Sequence, residues 1–128
     1  MGVHREALVI FGTIIRKSLL EFIPLLTSSL RRKLQRLDPD ELEDYLYDEV
    51  SVRGNLRLES GDFLYQPNND ERSKIYLVHE MIKIEEDDDE EFVVVKPPSK
   101  KSEILFNKYL KDSGITGELK QYLVYVAR

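Results

Sequence analysis

The sequence predicts an α+β fold: N-terminal helices packed on a four- or five-stranded antiparallel sheet. Three observations carry that expectation. Apolar residues recur at i+3/i+4 spacing through the first 50 positions. After Val50 the apolar period falls toward two, and β-branched and aromatic residues take over. One further capped helical pattern, at residues 103–112, precedes a Tyr/Val-rich end that reads as a strand. At 128 residues the chain is expected to be a single domain, with a helical part at 1–50 and a β-rich part at 51–128.

The first helix is expected over about residues 3–22. Leu8, Phe11, Ile15, Leu19, Phe22 and Leu26 form one wide stripe at helical spacing, with Ala7, Val9, Ile10 and Ile14 on its flanks. So little polar surface requires burial on several sides, by the chain's own core or by a partner. Leu8, Phe11, Ile15, Leu19 and Phe22 are therefore the candidate partner interface. Pro24 is costly inside a helix but suits a first turn, so a second helix is expected over about 25–37. Leu26, Leu30, Leu34 and Leu37 stripe its inner face, and Arg31, Arg32, Lys33 and Arg36 make it basic.

Asp38-Pro39-Asp40-Glu41 is the clearest local signal in the chain. Asp38 caps, Pro39 takes the first helical position, and two acids suit the positive end of the helix dipole. The third helix is expected over about 39–49, with Leu42, Tyr45 and Leu46 inward. Its acidic surface matches the basic face of residues 31–36, within one molecule or across a dimer.

Val52, Leu56 and Leu58 then alternate with charged residues, Ser60-Gly61-Asp62 reads as a tight turn, and residues 63–65 return as the second arm of a hairpin. Residues 66–72 read as a loop. Residues 74–84 form the best strand, and 92–96 a second clear one. Between them stand seven consecutive acids, Glu85, Glu86, Asp87, Asp88, Asp89, Glu90 and Glu91, expected as a solvated hairpin loop. Ser99 or Ser102 caps the helix at 103–112, with Ile104, Leu105, Tyr109 and Leu110 as its apolar positions, and Ser113-Gly114 stops it. Residues 121–127 favour a strand. The competing reading starts a helix at Thr116 and makes the C-terminus a helix-turn-helix.

The net charge of −5 conceals three blocks: +5 over residues 1–37, −14 over 38–95 and +4 over 96–128. The basic blocks either neutralise the acidic middle or meet an anionic partner. Overall acidity disfavours broad nucleic-acid binding, which leaves Arg31, Arg32, Lys33 and Arg36, or the C-terminal segment, as its only carriers.

Catalytic chemistry is poorly supplied. The chain has no Cys and two His, His4 and His79, and it lacks G-x-S-x-G and the glycine-rich phosphate loops. The acidic run lacks the spaced ligands and central Gly of a calcium loop. Asp62, Glu80 and Lys83 miss the spacing of a metal-dependent nuclease, because Glu80 and Lys83 fall on opposite faces of one strand. No catalytic, cofactor or metal site is expected. The mostly apolar run 7–15 is only nine residues long before Arg16-Lys17, against about 20 apolar residues for a membrane span. No membrane span and a cytoplasmic, intracellular location are expected.

The functional expectation is a small non-enzymatic interaction or regulatory protein. It would self-associate or bind a protein partner through its apolar N-terminus. The alternative is a nucleic-acid-binding regulator using residues 31–36 or the C-terminal helix-turn-helix. The compact, Cys-free, highly charged composition suits a viral or mobile-element accessory protein.

Overall fold

The computed structural model describes residues 5–53, 56–67, 74–85 and 95–127. The described residues form an α+β structure around a five-stranded antiparallel sheet. Its strands are β1 (Arg5–Ile14), β2 (Leu56–Arg57), β3 (Phe63–Tyr65), β4 (Tyr76–Glu85) and β5 (Lys120–Ala127), in the order β2-β3-β4-β1-β5. The helices are α1 (Ser28–Leu34), α2 (Pro39–Asp48) and α3 (Lys100–Asp112). A 3-10 helix covers Leu19–Leu25, and a π-helical turn, Glu49–Arg53, extends α2. By contact density the chain divides into two compact units, residues 14–77 and residues 1–13 with 78–128.

The largest correction concerns residues 3–22. Arg5–Ile14 is a strand, and the helical turn that follows is a short 3-10 helix. β1 lies between β4 and β5 in the sheet. Leu8 and Ile10 on one face are buried, and so are Val9 and Phe11 on the other. A strand covered on both faces needs apolar residues at every position, so it shows no alternation. A continuous apolar run also satisfies i+3/i+4 spacing by default, which is how it imitates a helix. Val9, Ile10, Phe11, Thr13 and Ile14 prefer extended backbone, and an interior Gly12 weakens a helix by about 1 kcal/mol relative to Ala.

The unit of residues 14–77 is built around a second correction. The 3-10 helix starts at a capping box, in which the Ser18 amide donates to Glu21 Oε2 at 2.9 Å and Ser18 Oγ accepts from the Leu20 amide at 3.3 Å. Pro24 lies inside this helix, not at the start of the next. α1 begins only at Ser28 and ends at Leu34, within the expected 25–37. The reason lies in residues 25–27, whose backbone is taken up by the hairpin. Leu26 bridges Leu58, the Thr27 amide donates to the Arg57 carbonyl at 3.0 Å, and the Glu59 amide donates to the Leu25 carbonyl at 3.0 Å. Extended residues at 26 and 27 cannot also be helical.

α2 forms where Asp38-Pro39 predicts it. Asp38 Oδ1 accepts from the Glu41 amide at 2.9 Å, and Pro39 opens the helix. The β2–β3 hairpin pairs Leu56 with Leu64 and Arg57 with Phe63. Its turn holds Gly61 at φ 96°, a left-handed conformation that favours glycine, and the Leu58 amide closes it onto the Asp62 carbonyl at 2.8 Å. Phe22, Leu26, Leu46, Val50, Leu56, Leu58, Leu64 and Leu77 are the fully buried centre of this unit. Each such side chain contributes roughly 1.5–3 kcal/mol through burial.

In the other unit, β5 pairs with β1 over eight residues, from Arg5 opposite Ala127 to Gly12 opposite Lys120. A strand at 120–127 removes the second helix that a C-terminal helix-turn-helix needs, so that reading of the C-terminus is overturned. α3 starts earlier than expected, with Ser99 Oγ accepting from the Ser102 amide at 3.1 Å. It ends in a Schellman arrangement: Gly114, at φ 72°, donates to the Lys111 carbonyl at 3.2 Å, and Ile115 donates to the Leu110 carbonyl at 2.8 Å. The expected strand at 92–96 lies largely outside the described residues. Val95 and Lys96, which are described, carry no regular structure.

Candidate interaction surface

α3 presents two faces. Phe106 and Leu110 are buried, and the Phe106 ring lies 5.5 Å from that of His79 on β4, tilted by 57°. Ile104 and Leu105, two of the four apolar positions read from the sequence, point the other way and are 59% and 58% exposed. The helix repeat explains it. Phe106 and Leu110 are one turn apart, and Ile104 falls on the opposite side, in line with Lys100, Lys108 and Lys111. The solvent face of α3 is therefore an apolar residue among lysines, all of them exposed.

β5 carries a second exposed apolar feature. Side chains alternate across a strand. Tyr122, Val124 and Val126 share the face of Leu8 and Ile10, and Val126 is buried. Gln121, Leu123 and Tyr125 share the other face. Leu123 is 56% exposed and Tyr125 is 74% exposed. β5 is also the last strand of the sheet. Among the described residues, no strand pairs with its outer side. Its start is anchored: the Leu119 amide donates to Asn107 Oδ1 on α3 at 2.7 Å. A further buried polar atom in this unit, the Tyr109 hydroxyl, has no hydrogen-bond partner among the described residues.

The residues predicted as sites are not brought together. Leu8 and Phe11 lie on opposite faces of β1, and Ile15, Leu19 and Phe22 belong to the unit of residues 14–77. All five are buried within the single chain. Of the basic set on α1 and the turn after it, Arg31 bonds Glu59 Oε1 at 2.7 Å and donates to the Pro24 carbonyl at 3.4 Å. Lys33 places its ammonium 4.9 Å from the centre of the Tyr45 ring. This contact joins α1 to an aromatic ring of α2 and is not the anticipated pairing of basic with acidic side chains. Arg32 and Arg36 are exposed. Of the acidic run, Glu85 is the last residue of β4, and 86–90 with Glu91 lie outside the described residues.

Among the described residues, no group of three or more His, Asp or Glu side chains could hold a metal ion, and no helix is long and apolar enough to cross a membrane. Comparison with protein-family models, with curated proteins and with solved structures returned no match to this chain. Sequence reasoning missed Ile104 and Leu105 as surface residues because the phase of an amphipathic helix is ambiguous when apolar residues occur in adjacent pairs. Phe106 was the available signal: with Leu110 and Tyr109 it defines a tighter face than Ile104 does.

Proposed function

We propose that this protein is a small non-enzymatic interaction or regulatory protein, working as a self-associating or partner-binding module. The observation that supports it is the exposure of Ile104, Leu105, Leu123 and Tyr125 in one compact unit, on a lysine-rich helix and an edge strand. Buried apolar groups at the centre of a protein interface supply most of its binding energy, and contiguous exposed ones mark such surfaces. This reading takes α3 and β5 as the surface, since Leu8, Phe11, Ile15, Leu19 and Phe22 are buried within the chain. A viral or mobile-element accessory role is compatible with it and rests on composition alone.

The test compares proteins retained by the immobilised wild-type chain with those retained by Ile104→Asp and Tyr125→Asp chains, each hit then re-measured with purified components. Retention by the wild type and loss by a variant of unchanged circular dichroism is expected. Equal retention by all three chains removes the reading.

The exposure of Arg32 and Arg36 supports a narrower second reading, nucleic-acid binding through α1. With Arg31 held by Glu59, the site is smaller than the sequence implied. Binding that weakens steeply with salt and is lost in an Arg32→Glu/Arg36→Glu chain would favour it. No binding to mixed DNA and RNA at low salt would eliminate it.

A further inference from the structure

We infer that the solvent face of α3 docks on the acidic face of α2 in a second copy of this chain, the two helices running antiparallel. The contact rests on the interaction reading above and names the partner of its helix surface.

Four exposed side chains follow one another along α3 at spacings of three and four: Lys101, Ile104, Lys108 and Lys111. That spacing puts them on one face. Ile104 stands there 59% exposed, with Leu105 beside it at 58%. α2 carries the counterpart. Its inner side holds the buried Leu46, while the exposed Asp40, Asp44 and Tyr47 follow one another on the outer side at spacings of four and three. Tyr47 is 45% exposed. Among the described residues none of these lysines or aspartates has an ion-pair partner. Each face thus sets one large apolar side chain among charges of a single sign, and the two signs are opposite.

The spacings agree in one direction. With Tyr47 set against Ile104, Asp44 lies three residues toward the start of α2 and Lys108 four residues toward the end of α3. Asp40 and Lys111 each lie seven residues away. At about 1.5 Å per residue, the first pair of offsets is about 4.5 and 6 Å, and the second is about 10.5 Å for both. Antiparallel helices therefore bring each aspartate level with a lysine. They also set the positive end of one helix dipole beside the negative end of the other. Run parallel, the same anchor leaves Asp40 beyond the first residue of α3.

Counter-charge and apolar cover together select this occupant. The seven acids from Glu85 to Glu91 match the lysines in charge but include no apolar side chain to cover Ile104 and Leu105. Nucleic acid would match the lysines, yet this face offers it no arginine for bidentate contact and no exposed aromatic ring for stacking. An anionic lipid surface would repel the −14 carried by residues 38–95. α2 of a second copy supplies both the carboxylates and a ring.

Surface ion pairs are weak one by one and screened by salt, so the test is an exchange of charge at low salt. Two full-length chains, Lys108→Glu/Lys111→Glu and Asp40→Lys/Asp44→Lys, are sedimented alone and mixed. The wild type is expected to form particles of two or more copies at low salt and to dissociate as salt rises. Each reversed chain alone should associate at least about tenfold more weakly. Their mixture should recover wild-type association, because each reversed face then meets its opposite. The chain has no native cysteine. Tyr47→Cys and Ile104→Cys chains, oxidised together, should therefore give a covalent pair in higher yield than either gives alone.

A wild type that stays monomeric at low salt and high concentration overturns the contact. So does association unchanged by both reversals, or lost in both and not recovered in the mixture while circular dichroism shows both chains folded. If a reversed chain fails to fold, the wild-type mass and the cysteine pair decide. A monomer that binds phosphatidylserine vesicles or duplex DNA through Lys108 and Lys111 also overturns it, and names a different occupant. A monomer that still retains another protein through Ile104 leaves the interaction reading intact and removes only the self-contact. Equal retention by the Ile104→Asp and Tyr125→Asp chains removes the reading itself.

Discussion

The two ends of the sheet are managed in opposite ways. At one end β2 is two residues long, and Arg57 covers the Phe63 ring at 4.8 Å. Its flank is closed by the Leu26–Leu58 bridge and by hydrogen bonds from residues 25–27. At the other end β5 runs for eight residues with uncharged, strand-forming side chains and two exposed large apolar groups. The first edge is short, charged and covered. Among the described residues, the second has none of these protections over 121–127. One end of the sheet is then protected and the other is not, among the described residues. An unprotected edge in the same sheet is thereby the place to look for function.

Five substitutions test how far that contrast holds. The largest effect is expected at the closed edge. Leu58 is buried and bridges Leu26, so Leu58→Ala should cost about 2–5 kcal/mol, read as a lowered urea midpoint at unchanged slope. A cost below 1 kcal/mol would mean that the hairpin hydrogen bonds alone hold this end.

Next come two glycines that differ in surroundings. Gly117, at φ 148°, precedes β5, and a Cβ there would collide with Thr13 Oγ1. Gly61, at φ 96°, turns the β2–β3 hairpin, and a Cβ there would meet open space. Gly117→Ala should therefore cost about 2–3 kcal/mol, from strain and collision together. Gly61→Ala should cost about 1 kcal/mol from backbone strain alone. Thermal unfolding of the pair checks the order, and the reverse order would show that the turn, not the approach to β5, is the tighter constraint.

Arg57→Ala removes a largely exposed cation–π contact and should cost about 0.5–1 kcal/mol. It should also raise the tendency to aggregate, measured by turbidity on warming, because Phe63 loses its cover. The smallest effect belongs to β5. At a dilution where the chain is monomeric, Leu123→Ala should change stability by less than about 0.5 kcal/mol, since its side chain is more than half exposed. A larger loss in dilute solution would mean that Leu123 supports the fold of its own chain rather than an association.

Elements marked by local chemistry are legible in the sequence alone. Asp38-Pro39 places α2, Ser99 and Ser113-Gly114 bracket α3, and Ser60-Gly61-Asp62 makes the hairpin turn. Each signal acts between residues a few positions apart. The N-terminal strand is not legible, because nearly every residue from Ala7 to Ile15 is apolar and such a run fits both periods. The start of α1 is also hidden, because residues 25–27 bond to residues 57–59, about thirty positions away. The candidate surface is half visible. The strand-forming end shows in Tyr122 to Val126, but nothing in the sequence says that β5 would be an edge or that Ile104 would face water.

By itself the sequence determined the α+β class, the caps and turns, and the charge blocks, since composition and short-range hydrogen bonding decide these. Tertiary structure alone decided which apolar segment would be covered on both faces, which strand would be left outermost, and which apolar side chains of α3 would find no cover. Those choices depend on which backbone groups pair across the sheet. For β1 and β5 the pairing joins residues 5–12 to residues 120–127, and no local pattern encodes a contact across that distance.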